Sequence, residues 1–128
     1  MLFPLTFEQS VARTPDRPAV VHLNDGTAMT YSELQTRAYQ VANALRERGL
    51  EPTDRVAICM ANRPEHVVTF LATQLAGLVA VPFNFRLAPS GVRYHIRDAD
   101  PELFLFDDVS RESVTSVADD IEVPMVHV

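Results

Sequence analysis

Four short apolar runs divide the second half of the chain into nearly equal intervals. The runs begin 20 to 25 residues apart, at Val56, Leu78, Leu103 and Val123. None of them alternates with polar residues, which is typical of parallel strands covered on both faces. Each interval is long enough for the crossover helix that a parallel pair of strands requires. The spacing therefore predicts a parallel sheet with strands over residues 56–60, 78–81, 103–106 and 123–128.

A helix and a hairpin are predicted before this sheet. Thr6 and Gln9 have the spacing of a capping box, in which two side chains satisfy free amides at a helix start. A short helix is therefore expected over residues 6–13. Two apolar segments flank Asp25-Gly26, and Asp-Gly favours the positive φ angles of a hairpin turn. The two strands are expected over residues 19–23 and 27–30.

Four further helices are predicted from capping residues and apolar periodicity. Thr30 and Glu33 form a second capping box, at the start of a long helix that ends at Gly49. Asn62 is expected to cap the next helix, which carries Val, Phe and Leu on more than one side and should be heavily buried against the sheet. The last three helices are expected over residues 64–76, 90–98 and 110–119.

Together these elements predict an α/β fold. We expect a doubly wound, Rossmann-like parallel sheet with crossover helices, preceded by a short helix and a β-hairpin. The sequence stops in or just after the fourth predicted strand, without a closing helix. Residues 1–128 are therefore expected to be an incomplete part of a larger domain.

The charge and hydropathy of the chain argue against several classes of partner. A net charge of −6 and a pI near 5.1 disfavour nucleic acids and anionic membrane surfaces. The sequence has no apolar run of the roughly 18 residues typical of a membrane span, and its start lacks a signal-peptide layout. We therefore expect a cytoplasmic protein. All 11 basic residues are arginine, so no lysine chemistry can operate within this chain.

The cysteine, the histidines and the glycines do not form a recognisable catalytic pattern. Cys59 lies inside the first apolar run and is expected to be a buried, inert side chain. His22, His66, His95 and His127 are scattered, without the spacing of metal ligands. The four glycines are far apart, so the sequence contains neither a dinucleotide fingerprint nor a phosphate loop, and a nucleophile elbow is also missing. We expect no catalytic, cofactor-binding or metal-binding residue in this chain.

Three polar features near the predicted carboxyl ends of the strands leave alternatives open. Asp107 and Asp108 could bind magnesium or accept a phosphate, as in receiver domains, or cap the next helix. The cap is favoured because a receiver-like site also needs a lysine. The loop 82–87 combines two aromatics with Arg86 and could hold a base or a phosphate, but packing beneath helices is favoured. For Arg111, a solvated surface position is favoured over a phosphate contact.

Six segments of the chain carry a recognisable pattern when they are taken in order. They are Phe7-Glu8 with Pro18-Ala19-Val20, Thr30-Tyr31-Ser32-Glu33-Leu34, Asp54-Arg55-Val56-Ala57-Ile58, Asn62 with Glu65, Ala76 to Asn84, and Tyr94 to Ala99. In order and spacing they resemble the amino-terminal part of the adenylate-forming superfamily, which includes acyl-CoA synthetases, luciferases and peptide-synthetase adenylation domains. Thr53 departs from that pattern, because the family usually has glycine there.

The resemblance implies a two-step reaction in the full-length enzyme. A carboxylate would attack ATP to give an acyl-adenylate and pyrophosphate, and coenzyme A would then displace AMP to give an acyl-CoA. ATP, magnesium and coenzyme A are implied as cofactors of that enzyme. The family's phosphate-binding loop and adenylation lysine lie downstream and have no counterpart here, so this chain alone is expected to be inactive.

Two roles remain open at the level of sequence. The first is an amino-terminal scaffold segment of an acyl-CoA ligase, whose partner is the rest of the synthetase or a second copy bound through exposed apolar surface. The alternative is a free-standing α/β module for binding or assembly. The sequence does not identify the carboxylic acid, because the acid pocket would lie outside this segment.

Overall fold

A computed structural model describes residues 3–128. In chain order the elements are α1 (Phe3–Arg13), β1 (Pro18–Val21), β2 (Ala28–Thr30), α2 (Tyr31–Glu47), β3 (Arg55–Cys59), α3 (Pro64–Leu75), β4 (Val79–Pro82), α4 (Pro89–Ala99), β5 (Leu103–Phe106), α5 (Arg111–Thr115), a 3₁₀ turn (Ala118–Asp120) and β6 (Met125–His127).

The four predicted parallel strands form one sheet in the order β4-β3-β5-β6. Helices cover both faces of this sheet. Val56 and Ile58 of β3 point into a cluster with α2 and α3, whereas Ala57 and Cys59 point into a cluster with α4 and α5. Burial on both faces explains why the strands lack polar alternation. The predicted α/β fold, with a doubly wound parallel sheet, is confirmed.

The predicted hairpin is also confirmed as a separate two-stranded antiparallel sheet of β1 and β2. The side chain of Asp25 organises its turn by accepting hydrogen bonds from the amide and hydroxyl of Thr27, at 3.0 and 2.8 Å. Gly26 supplies the required positive φ of 71°. These two bonds to Thr27 lower the pKa of Asp25 to about 2. The hairpin packs with α1 on α2 and α3, around buried Phe7, Met29, Leu34 and Leu71.

The capping box at the start of α2 is present as predicted. The Glu33 amide donates to Thr30 Oγ1 at 3.2 Å, and the Thr30 amide donates to the Glu33 carboxylate at 2.8 Å. The helix ends where Gly49 adopts a φ of 88°. Its buried face, including Leu34, Ala38 and Leu45, follows the predicted periodicity.

Two predicted helix caps are wrong, although α3 starts at Pro64 as predicted. Helix α1 already runs from Phe3, so Thr6 lies inside it, and its carbonyl accepts a hydrogen bond from Ser10 Oγ. A capping box with Gln9 would need extended backbone at Thr6, which the helix does not provide. At α3, Arg63 rather than Asn62 occupies the cap position, with no side-chain cap bond.

The predicted helix over residues 110–119 is interrupted. Helix α5 spans only Arg111–Thr115, and a 3₁₀ turn follows. Thr115 and Ser116 donate their hydroxyls to nearby carbonyls, at 2.8 Å each, and such bonds compete with continued helix. Strand β6 is likewise shorter than the predicted segment 123–128.

Helix α3 is buried on one side only. Val68 and Leu71 are buried in the interior, but Val67 and Phe70 on the other side are 41% and 36% exposed. The prediction of heavy burial is therefore right for the side that faces α2 and the sheet and wrong for the opposite side.

Candidate functional site at the carboxyl edge of the sheet

The carboxyl ends of β3 and β5 lie side by side at the centre of the sheet. From β3 the chain crosses to β4 on one side, and from β5 it crosses to β6 on the other. Open α/β sheets usually bind their ligands at such a switch point, outside the carboxyl ends of the strands. The side chains at this edge therefore form the candidate site.

Asp107 and Ser110 fill the space between these two strand ends. Asp107 is fully buried. Its carboxylate accepts hydrogen bonds from the amides of Ala61 at 2.9 Å and Ser110 at 3.1 Å. The Ser110 hydroxyl, in turn, makes a short hydrogen bond to the carbonyl of Cys59. Burial opposes ionisation of Asp107, but the hydrogen bonds from Ala61 and Ser110 outweigh it and hold its pKa below the ordinary value.

Arg63 lies at the edge of this buried network. Its Nε donates to Glu65 at 2.9 Å, and one terminal nitrogen lies 3.7 Å from the Asp107 carboxylate. The bond to Glu65 raises the pKa of Arg63 further above its already high ordinary value. Both carboxylates neutralise this guanidinium, so it does not present an unpaired positive charge to an incoming phosphate.

Asp108 points away from Asp107 and belongs to a separate surface cluster. Its Oδ1 lies 2.8 Å from an Arg111 nitrogen and 2.9 Å from His127 Nε2. The His127 ring also packs against Phe106, with centroids 5.4 Å apart. The two aspartates therefore do not form a carboxylate pair that could hold magnesium.

The helix-cap interpretation of the two aspartates needs a correction. Asp107 satisfies the backbone amide of Ser110, which is the residue before α5. That bond closes the turn between β5 and the helix rather than capping the first turn of α5. Arg111 is half-exposed, as expected, and is paired with Asp108 instead of being free.

The loop after β4 divides its two aromatic residues between the interior and the surface. Phe83 is buried and packs against Phe104 and His95, at centroid distances of 5.6 and 5.4 Å. Phe85 is partly exposed, and the Arg86 guanidinium lies 5.2 Å from its ring centroid. The prediction that the aromatics of this loop pack beneath a helix is therefore right for Phe83. Phe85 and Arg86 instead contact each other at the surface.

Two further candidate side chains, His22 and Cys59, have structural roles. His22 lies 3.1 Å from the Asp25 carboxylate in the hairpin. Cys59 is buried as predicted, and burial raises the pKa of its thiol.

Within residues 3–128, no three His, Cys, Asp or Glu side chains come close enough together to hold a metal ion. None of the helices in this part of the chain is long and apolar enough to cross a membrane.

The sequence did not reveal a cleft between the hairpin and α3. It has a volume of about 450 Å³ and is lined mainly by apolar side chains, among them Val20, Val21, Pro64, Val67 and Phe70. We call it the hairpin–α3 cleft. The apolar residues of α3 that do not face the sheet were the available signal, but their partner element could not be deduced from periodicity alone.

Comparison with known proteins defines the class to which this α/β chain belongs. The family model described as "AMP-binding enzyme" matches residues 7–128. The chain therefore belongs to the family of AMP-binding, adenylate-forming enzymes.

Two curated relatives and one solved structure illustrate the match. Feruloyl-CoA synthase of an Amycolatopsis species is 37% identical over 105 residues, which are 82% of this chain and 21% of the relative. 4-Hydroxybutyrate–CoA ligase 2 of Metallosphaera sedula is 32% identical over 127 residues, 98% of this chain and 23% of the relative. The structure of Mycobacterium tuberculosis fatty acyl CoA synthetase superposes with a TM-score of 0.89 at 25% identity, over 98% of this chain and 26% of that one. The chain thus spans about a fifth to a quarter of the length of these proteins.

Proposed function

We propose that this chain is the amino-terminal scaffold segment of an ATP-dependent acyl-CoA ligase. The observation that carries the proposal is the family match over residues 7–128 together with the acyl-CoA ligases among the relatives. The complete enzyme would form an acyl-adenylate and then an acyl-CoA, in the cytoplasm. The segment would supply a rigid sheet and helices but none of the groups that react.

The residues of this segment do not fit a site for ATP phosphates. Gly26, Gly49 and Gly77 each occupy a separate turn with positive φ, so they do not form a cradle of adjacent backbone amides. Arg63 and Arg111, which lie near the carboxyl edge of the sheet, are paired with carboxylates. The sequence has no lysine. ATP, magnesium and coenzyme A would therefore be held mainly by the rest of the enzyme.

The scaffold role accounts for the buried polar network at the carboxyl edge. Asp107 and Ser110 join the ends of β3 and β5 beyond the last ladder pair, Cys59 with Phe106. A fully bonded buried network of this kind rigidifies the strands that it connects. The edge is thereby held in one conformation, on which the other parts of a ligase can be positioned.

This segment does not identify the acid. The names of the two relatives specify feruloyl and 4-hydroxybutyrate groups, although both relatives match the same segment at 37% and 32% identity. Similarity in this region is therefore compatible with chemically different acids, and the determinants of specificity would lie elsewhere in the enzyme.

A segment-exchange experiment tests the proposal. The matching 127 residues of the Metallosphaera sedula ligase would be replaced by this chain, and formation of 4-hydroxybutyryl-CoA would be measured. We expect the chimera to keep the substrate and an activity within about tenfold of the parent, because the exchanged segment contributes no reacting group. A folded, monodisperse chimera without activity would contradict the scaffold role and would favour the free-standing binding module.

A further inference from the structure

Helix α3 carries apolar residues on its outward side as well as on its buried side. Val68 and Leu71 are buried in the cluster with α1, the hairpin and α2, and Ala72 in the cluster with the sheet, whereas Val67 and Phe70 face outward and stay partly exposed. The apolar arc of α3 is thus wider than the side that this chain buries, as in helices that pack against elements on both sides. The outward side of α3 therefore has the composition of a buried surface without being buried in this chain.

Exposed apolar residues from two other elements surround the same side of α3. Val21 of β1 lines the hairpin–α3 cleft and is 53% exposed. Phe3 of α1 is 52% exposed and packs edge-to-face on Phe70, with ring centroids 6.4 Å apart. Side chains of α1, β1 and α3 thus form one apolar surface around a cleft. Contiguous apolar surface of this kind marks an interaction site more often than single exposed side chains do.

Helix α4, on the opposite face of the sheet, provides a comparison with α3. Helix α4 buries Val92 and Ile96 in the second core cluster. Its exposed aromatic residue is Tyr94, whose ring packs against the neighbouring His95. Tyr94 is therefore a matched control position: it is large, helical and exposed, but lies outside the hairpin–α3 cleft.

We infer that the hairpin–α3 cleft and the outward side of α3 are the docking face for the rest of the ligase polypeptide. This inference rests on the proposed function. The share of chain length supports the choice of occupant, because this segment is only 23% of the Metallosphaera sedula ligase and 26% of the mycobacterial synthetase. The other three quarters of such an enzyme must pack against some face of the segment, and this face is apolar, concave and uncovered.

Comparing the same substitution in two contexts tests the docking face. Val67→Asp and Phe70→Ser would be introduced into the isolated chain and into the chimera with the Metallosphaera sedula ligase, and Tyr94→Asp would serve as the control. In the isolated chain Val67 and Tyr94 have exposed side chains, so we expect Val67→Asp and Tyr94→Asp to change the apparent melting temperature by less than about 2 °C. Phe70→Ser also removes the edge-to-face contact with Phe3 and should already lower it there by about 2–4 °C. In the chimera, Val67→Asp and Phe70→Ser should lower it by about 5 °C or more, while Tyr94→Asp should have the same small effect in both contexts.

The outcomes separate this inference from the proposed function. An active chimera in which Val67→Asp and Phe70→Ser cost no more than in the isolated chain would overturn the docking face and leave the scaffold role intact. A larger effect of Tyr94→Asp in the chimera would assign docking to α4 instead. If the change in melting temperature in the isolated chain grew with protein concentration, the cleft would instead be occupied by a second copy of this chain. If an aspartate prevents folding of the isolated chain, Val67→Thr provides the same comparison with a milder change.

Discussion

Asp107 accepts a hydrogen bond from the backbone amide of Ala61 at 2.9 Å, across the ends of two neighbouring parallel strands. With the amide of Ser110 on its other oxygen, this buried carboxylate is the central group of the carboxyl edge. In Asp107→Asn, one of the two oxygens becomes an amide group that cannot accept a hydrogen bond. We expect a loss of about 2–4 kcal/mol in the free energy of unfolding, measured by urea denaturation. Asp108→Asn, at an exposed carboxylate, should cost less than about 1 kcal/mol. If the two substitutions lowered the free energy of unfolding equally, the buried hydrogen bonds of Asp107 would not be the source of the stabilisation.

The same carboxylate should make stability depend on pH in the acid range. The folded-state pKa of Asp107 is below its ordinary value of 3.8, so its ionised form contributes stability above about pH 3.8, and this contribution is lost as the pH falls through the folded-state pKa. The difference in unfolding free energy between the wild type and Asp107→Asn should therefore be largest near neutral pH and shrink below about pH 4. A difference that stays constant down to pH 3 would show that Asp107 does not act through its charge.

The capping box of α2 should contribute measurably to stability. Thr30→Ala removes the oxygen that accepts the Glu33 amide, and loss of such a cap typically costs about 1 kcal/mol. Thr36→Ala is the control, because Thr36 lies inside the same helix and donates only to the Ser32 carbonyl. We expect the control to be neutral or slightly stabilising. A cost for Thr36→Ala as large as that for Thr30→Ala would contradict the capping role.

Thr53 adopts a φ of 77°, which is unfavourable for a β-branched residue. Its amide donates to the Gly77 carbonyl at 2.9 Å, so the turn is fixed in this conformation. Thr53→Gly should relieve the strain at this φ angle. Glycine also costs conformational entropy on folding, so we expect a net increase in the free energy of unfolding of up to about 1 kcal/mol. Thr36→Gly, in a helix, should instead lower it by about 1 kcal/mol. Destabilisation by Thr53→Gly would contradict a strained turn.

The sequence predicted the sheet well because the strands are apolar on both faces and the intervals between them are regular. It also predicted the start of α2, where Thr30 and Glu33 satisfy each other's amides and need no distant partner. It failed for the caps of α1 and α3, because Thr6 and Asn62 are plausible caps by residue type and only the backbone conformation decides between neighbouring residues.

The candidate site was less predictable than the fold, for a physical reason. Asp107 was recognised as a polar residue after a strand, but its partner Ala61 is 46 residues away and depends on β3 and β5 being neighbours. Strand order follows from the tertiary packing and not from local pattern. The hairpin–α3 cleft was missed for the same reason, since it needs the relative position of two elements far apart in sequence.

The central claim, that this segment is a scaffold without catalytic groups of its own, is tested most directly by pyrophosphate exchange. The purified 128-residue chain would be incubated with ATP, magnesium, labelled pyrophosphate and short, medium and long carboxylic acids. Adenylate formation depends on positioned positive charge at the phosphates. Near the carboxyl edge, Arg63 and Arg111 are paired with carboxylates, and Arg86 lies over the Phe85 ring, so we predict no acid-dependent labelling of ATP above a protein-free control. Labelling well above that control, abolished by Arg86→Ala or Arg111→Ala, would contradict the account.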